Sequence, residues 1–294
     1  MIDKLIENAS KKIIGNKFKI KLTIASIISG GHILIEDLPG TGKTTFAKSI
    51  TEALNLDFKR IQFTSDLLPS DILGYTYLKE NKFEINKGPI FTNIVLADEL
   101  NRASPKTQSA FLEAMEENTV TIDKKTLQLP KPFSVIATQN PADLSGTSLL
   151  PESQLDRFSI SFSLDELTNS ERVEILSGNE KSMTTTQNKF EFYNELNLSK
   201  ININKNVLIY LDSINQYIKT NFQNVHISIR SLKQTILLSK GLAIIDGKDY
   251  VTYQEIKDTL PYVFRHRINL VEKKDTIEFI RSDIIKKVPL PNEI

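Results

Sequence analysis

The sequence predicts an α/β fold: a mostly parallel sheet covered by helices on both faces, three layers deep, followed by a smaller all-helical unit. The first observation behind this is alternation. Short apolar runs at Ile33-Leu34-Ile35, Asn93 to Ala97 and Phe133 to Ala137 are separated by segments of helical period at Lys43–Leu54 and Lys106–Glu117. Strands joined by helices pair in parallel, and a parallel sheet is buried on both faces, so its strands read as unbroken apolar runs. The second observation is that only helical periods remain after about Leu164. The third is composition. With 294 residues, 40% of them apolar and 25% charged, the chain is long enough for one large domain or two moderate ones of ordinary globular type.

In the first unit, assigned to residues 1–165, the strand at Ile33–Ile35 ends in a loop. The helix after that loop carries Phe46, Ala47, Ile50 and Leu54 on one stripe. Phe111, Leu112 and Met115 share one face of the segment Lys106–Glu117. Two stretches read as β-hairpins: Tyr75–Ile85, and Thr119–Leu129 turning around Asp123-Lys124-Lys125. A further strand is expected at Ser159–Phe162. In the second unit, residues 166–294, the polar stretch 178–206 reads as a loop. Helices are expected at Val207–Ile218, Ile229–Ile245 and Tyr253–Phe264. Asp246-Gly247 stops the second of these, and Thr252 with Glu255 three residues on makes a capping box for the third.

Several function classes are excluded early. Without cysteine there is no disulfide, thiol nucleophile or Cys-based metal site. No apolar signal core follows the N-terminus, and the longest apolar stretches, such as Ile236 to Ile245, are broken by charge, so a cytoplasmic protein without a membrane span is expected. Residues 1–165 hold 19 basic and 20 acidic side chains, a balance that argues against nucleic acid as a partner. A local basic run, Lys11, Lys12, Lys17, Lys19 and Lys21, reads as a solvated helix face, with an anionic contact as the alternative. His32, His226 and His266 have no ligand spacing and read as packing or surface residues.

Chemistry concentrates first between the Ile33 strand and the Lys43 helix, in Pro39-Gly40-Thr41-Gly42-Lys43-Thr44-Thr45. Gly40 and Gly42 let backbone N–H groups turn inward to cradle phosphate oxygens, and the helix N-terminus adds positive dipole. Lys43 is placed to reach β- and γ-phosphates, and the Thr44 hydroxyl to ligate Mg2+. The strict pattern has glycine where this chain has Asp37, a residue that also tolerates tight turns.

The strand Asn93–Ala97 ends in Asp98-Glu99 at the edge where parallel sheets bind ligands. Asp98 suits the magnesium shell, and Glu99 suits a general base that polarises the attacking water. An acidic strand end alone is common; a phosphate loop at this separation gives it meaning. Asn140, ending the next strand, either orients the water or senses the γ-phosphate, or serves an Asn-Pro turn. Arg157 either stabilises transferring phosphoryl charge or pairs with Asp156 at the surface, and Arg230 heads a helix from which it could reach back to the nucleotide. The guanine-reading Asn-Lys-x-Asp tetrapeptide is absent, which favours adenine and hence ATP.

These blocks together resemble the MoxR family of AAA+ ATPases. The resemblance rests on Gly31 to Thr44, Arg60 to Asp71, Gly88-Pro89-Ile90-Phe91, Ala97 to Ala103, Pro105 to Gln108, Leu112 to Met115, and Ala137 to Pro141 through Leu150 to Phe158. It implies a P-loop AAA+ domain with a helical lid. Tyr75–Ile85 falls in a helix-2 insert near 72–90, and Thr119–Leu129 in a pre-sensor hairpin near 118–130. Lys43 and Thr44 match Walker A, Asp98 and Glu99 Walker B, Asn140 sensor 1, Arg157 the arginine finger and Arg230 sensor 2. The resemblance further implies an ATP- and Mg2+-dependent ring, typically a hexamer, that remodels a partner protein, often one of von Willebrand factor A type. A nucleotide-gated switch with little turnover, a nucleic-acid motor and a chelatase motor stand as alternatives.

Overall fold

A computed structural model describes residues 2–38, 40–140, 150–177, 196–222, 225–268 and 276–291. Its centre is a five-stranded, all-parallel sheet made of β1 (Ile33–Glu36), β2 (Phe58–Gln62), β5 (Ile94–Asp98), β8 (Ser134–Gln139) and β9 (Ile160–Phe162). The spatial order is β2-β5-β8-β1-β9. Successive residues of β1 point to opposite faces, as the two-residue period of a strand requires. Ile33 and Ile35 enter one apolar cluster and Leu34 the other. Each face is therefore covered, which matches the three-layer expectation.

Four of the five strands were legible, three as apolar runs and β9 as the short stretch Ser159–Phe162. The fifth, β2, was not, because it is an edge strand. Of Phe58–Gln62 only Ile61 is buried, while Lys59, Arg60 and Gln62 are exposed.

Before the sheet come α1 (Ile2–Ser10) and α2 (Lys17–Ile28). The first crossover is α3 (Lys43–Ala53), and the helix α4 (Pro69–Leu73) leads into the hairpin β3 (Gly74–Lys79) and β4 (Lys82–Lys87). Helix α5 (Pro105–Glu117) precedes a second hairpin, β6 (Thr119–Ile122) with β7 (Lys125–Gln128). Both hairpins lie where the sequence placed them. The short α6 (Glu152–Leu155) precedes β9, and α7 (Asn169–Leu176) follows it.

The lid comprises α8 (Lys205–Asn221), α9 (Ile229–Ile245), α10 (Tyr253–Phe264) and α11 (Thr276–Phe279). A two-residue parallel pair joins β10 (Asn202–Ile203) to β11 (Tyr250–Val251). The capping box is present: the Thr252 amide donates to Glu255 Oε2 at 2.7 Å. Residues 178–195 of the expected polar loop lie outside the described residues, and its remainder leads through β10 into α8.

One apolar cluster runs from Leu5 through α2, α3 and one sheet face into the lid, as far as Val288. Helix α9 lies so close on α2 that a Cβ at Gly241 would stand 2.7 Å from the Ala25 carbonyl oxygen. Lid and sheet thus share a core. Among the described residues no helix is long and apolar enough to cross a membrane.

The reading of the basic run as a solvated face is corrected here. Lys19 is buried and pairs with Asp165 at 2.5 Å, Lys21 pairs with Asp246 at 2.5 Å, and Lys12 pairs with Glu52 at 3.0 Å. Because most of α2 is covered, Lys19 and Lys21 reach carboxylates on other elements, while Lys17 at its start is exposed, as the reading had it.

His32 is a core residue, as read. Its Nδ1 accepts from the Val135 amide at 3.1 Å, which leaves Nε2 protonated to donate to the Met115 carbonyl at 3.0 Å. Burial pushes its pKa from 6.5 down to about 4. The unfolded chain therefore takes up a proton that the folded one refuses, so stability falls as pH drops from about 6.5 to about 4, by on the order of 3 kcal/mol in total. Denaturant unfolding of the wild type and of His32→Gln across that window is expected to show a shallower pH slope in the variant.

Candidate active site

The phosphate loop is built on two glycines in the left-handed region. Gly40 has φ +83° and Gly42 φ +89°, and nothing lies within 4 Å of where a Cβ would stand at either. Side chains are strained in that conformation, so glycine keeps the loop's inner surface open to phosphate oxygens. Gly42 caps the N-terminus of α3, whose first residue is Lys43. The Lys43 ammonium donates to the carbonyls of Asp37 at 3.0 Å and Leu38 at 2.6 Å. Burial lowers its pKa, opposed by the nearby charges of Asp37, Asp98 and Glu99. Thr44 is half-buried and Thr45 exposed at the start of the helix, while Thr41 Oγ1 donates to the Leu38 carbonyl at 3.1 Å. Pro39 lies outside the described residues.

Asp37, where the strict motif has glycine, has its charge taken up by backbone amides. Its carboxylate accepts the amides of Leu38 at 2.8 Å and Leu164 at 3.1 Å, and so ties the loop to the segment after β9.

Parallel register brings the acidic pair to the same edge. Glu36 of β1 stands opposite Gln139 of β8, and Gln62 of β2 opposite Asp98 of β5. One buried hydroxyl organises Asp98 and Glu99: Thr138 Oγ1 donates to Asp98 Oδ1 at 2.6 Å and accepts the Glu99 amide at 2.9 Å. Glu99 has φ +56°, a conformation that costs a non-glycine residue energy and recurs where function needs it.

The edge strand β2 holds both carboxylates. Arg60 donates to Asp98 Oδ2 from Nε at 3.1 Å and Nη2 at 2.6 Å, and Gln62 Nε2 donates to Glu99 Oε2 at 2.7 Å. Arg102 lies 3.3 Å from the same Glu99 oxygen. Sequence reasoning missed Arg60, Gln62 and Thr138 as site residues. The two-residue spacing of Arg60 and Gln62 was the available signal, and it was legible only once β2 was known to be a strand. Asn140 follows Gln139, whose carbonyl accepts the Asp37 amide at 3.1 Å, so it stands beside the root of the phosphate loop.

Beside the loop opens a cleft of about 540 Å³. It is lined on one side by Gly40 to Gly42, Thr44 and Thr45, and on the other by Ile13, Ile14, Leu164, Leu167 and Ile175. Polar amides and apolar walls in one cleft suit a molecule with a phosphate tail and a flat ring. The Thr44 hydroxyl and the Asp98 carboxylate are hard oxygens of the kind magnesium prefers; both Asp98 oxygens are taken here by Thr138 and Arg60, so Asp98 would serve a metal on exchanging one of them.

The two arginines singled out from sequence lie elsewhere. Arg157 and Arg230 line a second pocket with Gly30, Gly31 and His32, which precede β1, whereas the phosphate loop follows β1. The length of a four-residue strand, about 13 Å, therefore separates them from it. Glu116, at the end of α5, binds both: Arg157 Nε lies 3.1 Å from Oε2, and Arg230 Nη2 pairs with Oε1. Arg230 is thus gathered with Arg157 and not, as a reach-back to the chain's own nucleotide would require, with Lys43. Asp156 is not the partner of Arg157. It accepts from Arg267 Nε at 2.8 Å and from the hydroxyls of Ser228 and Ser231 at 3.1 Å each.

Residues 32–160 match the family model described as "ATPase family associated with various cellular activities (AAA)", and residues 217–286 match "AAA lid domain". The chain is 39% identical to the uncharacterized protein YeaC of Bacillus subtilis (strain 168), over 92% of this chain and 87% of that one. It is 30% identical to Chaperone MoxR1 of Mycobacterium tuberculosis, over 99% of this chain and 82% of that one. The crystal structure of a Cytophaga hutchinsonii protein assigned as an ATPase superposes with a TM-score of 0.83 at 33% identity, covering 99% of this chain and 95% of that one. A five-stranded parallel sheet carrying this phosphate loop, a helical lid, and relatives that match nearly end to end lead to one conclusion: the chain belongs to the MoxR family of AAA+ ATPases.

Proposed function

We propose that the chain hydrolyses ATP between adjacent copies of itself in a ring, expected to be hexameric, and uses the cycle to remodel a partner protein. One observation carries this reading. Lys43, Asp98 and Glu99 stand at one edge of the sheet, and Arg157 and Arg230 at the other. Two cationic groups suited to phosphoryl charge that cannot meet their own phosphate loop are suited to a neighbour's.

In this reading the adenine lies against Ile13, Ile14 and Ile175 in the cleft. Lys43 exchanges the carbonyls of Asp37 and Leu38 for the β- and γ-phosphates. Thr44 and Asp98 would hold Mg2+, which when bound neutralises phosphate charge. Glu99 takes a proton from water as the water oxygen bonds to the γ-phosphorus. The bond from that phosphorus to the bridging oxygen breaks, and ADP leaves with the electron pair. Asn140 orients the water, and a neighbour's Arg157 offsets charge on the transferring group.

The family resemblance supports a chaperone-like role with a von Willebrand factor A-type partner, and the balanced charge supports a protein rather than nucleic acid as the client. The cysteine-free sequence is compatible with a reducing cytoplasm, where we place the cycle.

A second reading is favoured by the grip of β2. Arg60 on Asp98 and Gln62 on Glu99 hold both acidic groups away from a nucleotide, as a switch with little turnover before assembly would need. ATP hydrolysis per milligram measured over a wide range of protein concentration separates the two: activity that climbs with concentration supports completion between copies, and none at any concentration supports the partner-gated switch.

Three further outcomes are expected. Lys43→Ala loses charge-assisted contacts of about 1.5–3 kcal/mol, so nucleotide affinity falls about 10- to 100-fold by fluorescence titration. Glu99→Gln keeps its affinity while single-turnover hydrolysis falls about 10²- to 10⁴-fold, the range for a lost general base. Lys43→Ala and Arg157→Ala proteins, each inactive alone, regain measurable hydrolysis when mixed. A mixture no better than its parts would count against action between copies.

A further inference from the structure

Two lid arginines that follow α10 take no part in the chemistry above, yet both are buried. Arg265 is 4% exposed, and the Arg267 side chain 5%. They reach opposite ends of the edge strand β9. Arg265 donates from Nη1 to Glu36 Oε2 at 2.5 Å and to Ser161 Oγ at 3.4 Å, and from Nη2 to Ser163 Oγ at 2.9 Å. Glu36, itself 2% exposed, is the last residue of β1, and the chain then enters the phosphate loop through Asp37, whose carbonyl holds the Lys43 ammonium. Arg267 donates from Nη2 to the Phe158 carbonyl at 2.9 Å and the Asp156 carbonyl at 3.1 Å, and from Nε to the Asp156 carboxylate. Arg157 sits between those two carbonyls in sequence.

Burying an ion pair costs desolvation on both sides, and a well-packed apolar pair of the same shape is often as stable or more so. Stability alone therefore does not account for Glu36 and Arg265. A guanidinium held by one carboxylate and two hydroxyls supplies direction instead, because its planar fork fits them in a single orientation. With Arg267 two residues along, the same lid turn grips the root of the phosphate loop and the backbone on either side of Arg157.

We propose that Arg265 and Arg267 are positioning residues: through Glu36 and Asp156 they tie the lid to the root of the phosphate loop and to the Arg157 segment, so that nucleotide bound at the loop sets the angle of the lid on the sheet and, through the same lid turn, the backbone that presents Arg157 at the other edge. The inference rests on the nucleotide reading above and adds to it the device that links the two edges.

The absence of native cysteine makes the test direct. Lys59→Cys on β2 and Lys219→Cys on α8, both exposed, take a fluorophore pair that reports the distance from lid to sheet. Full-length protein is titrated with a non-hydrolysable ATP analogue in three backgrounds: wild type, the apolar exchange Glu36→Leu with Arg265→Met, and Arg265→Lys. In wild type, analogue binding shifts the energy transfer. The apolar exchange is expected to keep its melting temperature close to wild type, lose the shift, and bind the analogue about tenfold more weakly, the scale of one lost charge-assisted hydrogen bond. Arg265→Lys, which keeps the charge and loses the fork, regains part of the affinity and of the shift. It carries the test alone if the apolar exchange does not fold.

A wild-type-sized shift and affinity in these variants would overturn the proposal and leave the pair as packing alone. So would a wild type that binds the analogue without any shift. A wild type that binds no analogue would instead overturn the nucleotide reading itself, which the titration records separately.

Discussion

Parallel register is the constraint on which the rest of the molecule depends. Ile33 of β1 pairs with Ile136 of β8, and Leu96 of β5 pairs with the same Ile136, so the three central strands start and stop nearly level. Everything that follows a strand therefore emerges at one edge: the phosphate loop after β1, Glu99 after β5 and Asn140 after β8. Everything that precedes a strand lies at the other, including His32 and the Arg157 segment. A shift of two residues in any one pairing would move an acidic group some 6–7 Å along the strand direction, out of reach of its partners. The chemistry is thus assembled by backbone hydrogen bonds, and the side chains inherit their places from them.

The second organising feature is the short segment after β9. Ser163 accepts from Arg265, the Leu164 amide donates to the Asp37 carboxylate, and Asp165 pairs with Lys19. Three consecutive residues thereby join the lid, the phosphate loop and the buried face of α2. Burial lowers the Lys19 pKa while Asp165 opposes the shift, which marks a charge kept dry and dependent on its partner. This explains two departures from expectation at once. Asp37 is compatible with a phosphate site because its charge is taken up by backbone amides, and the basic run is only in part a solvated face because Lys12, Lys19 and Lys21 are counter-ions for carboxylates on other elements while Lys17 is exposed.

Glu116 plays the corresponding part at the far edge. Side by side and unneutralised, Arg157 and Arg230 would repel; one carboxylate at the end of α5 holds both in their pocket. The two edges of the sheet are therefore alike in logic. At each, the charged groups are held by partners within the chain: Lys43 by carbonyls, Asp98 by Arg60, Glu99 by Gln62 and the two arginines by Glu116.

The chain's local order was enough to place the phosphate loop, the acidic strand end, both hairpins and three lid helices. Each depends on residues adjacent in sequence or at a helical or strand period: Gly40 and Gly42 around a tight turn, a buried run that ends in Asp98-Glu99, and Thr252 capping with Glu255. What the tertiary structure alone decided is which distant groups meet. Arg60 finds Asp98 across 38 residues, Arg230 finds Glu116 across 114, and Arg265 finds Glu36 across 229. No periodicity records such pairs. β2 escaped notice because an edge strand buries only one side of itself, and α2 was read by its lysines alone because burial around most of the helix weakens the amphipathic signal. Sequence periodicity reports how one element meets water, whereas ion pairs between elements are chosen only when the sheet and lid close on a common core.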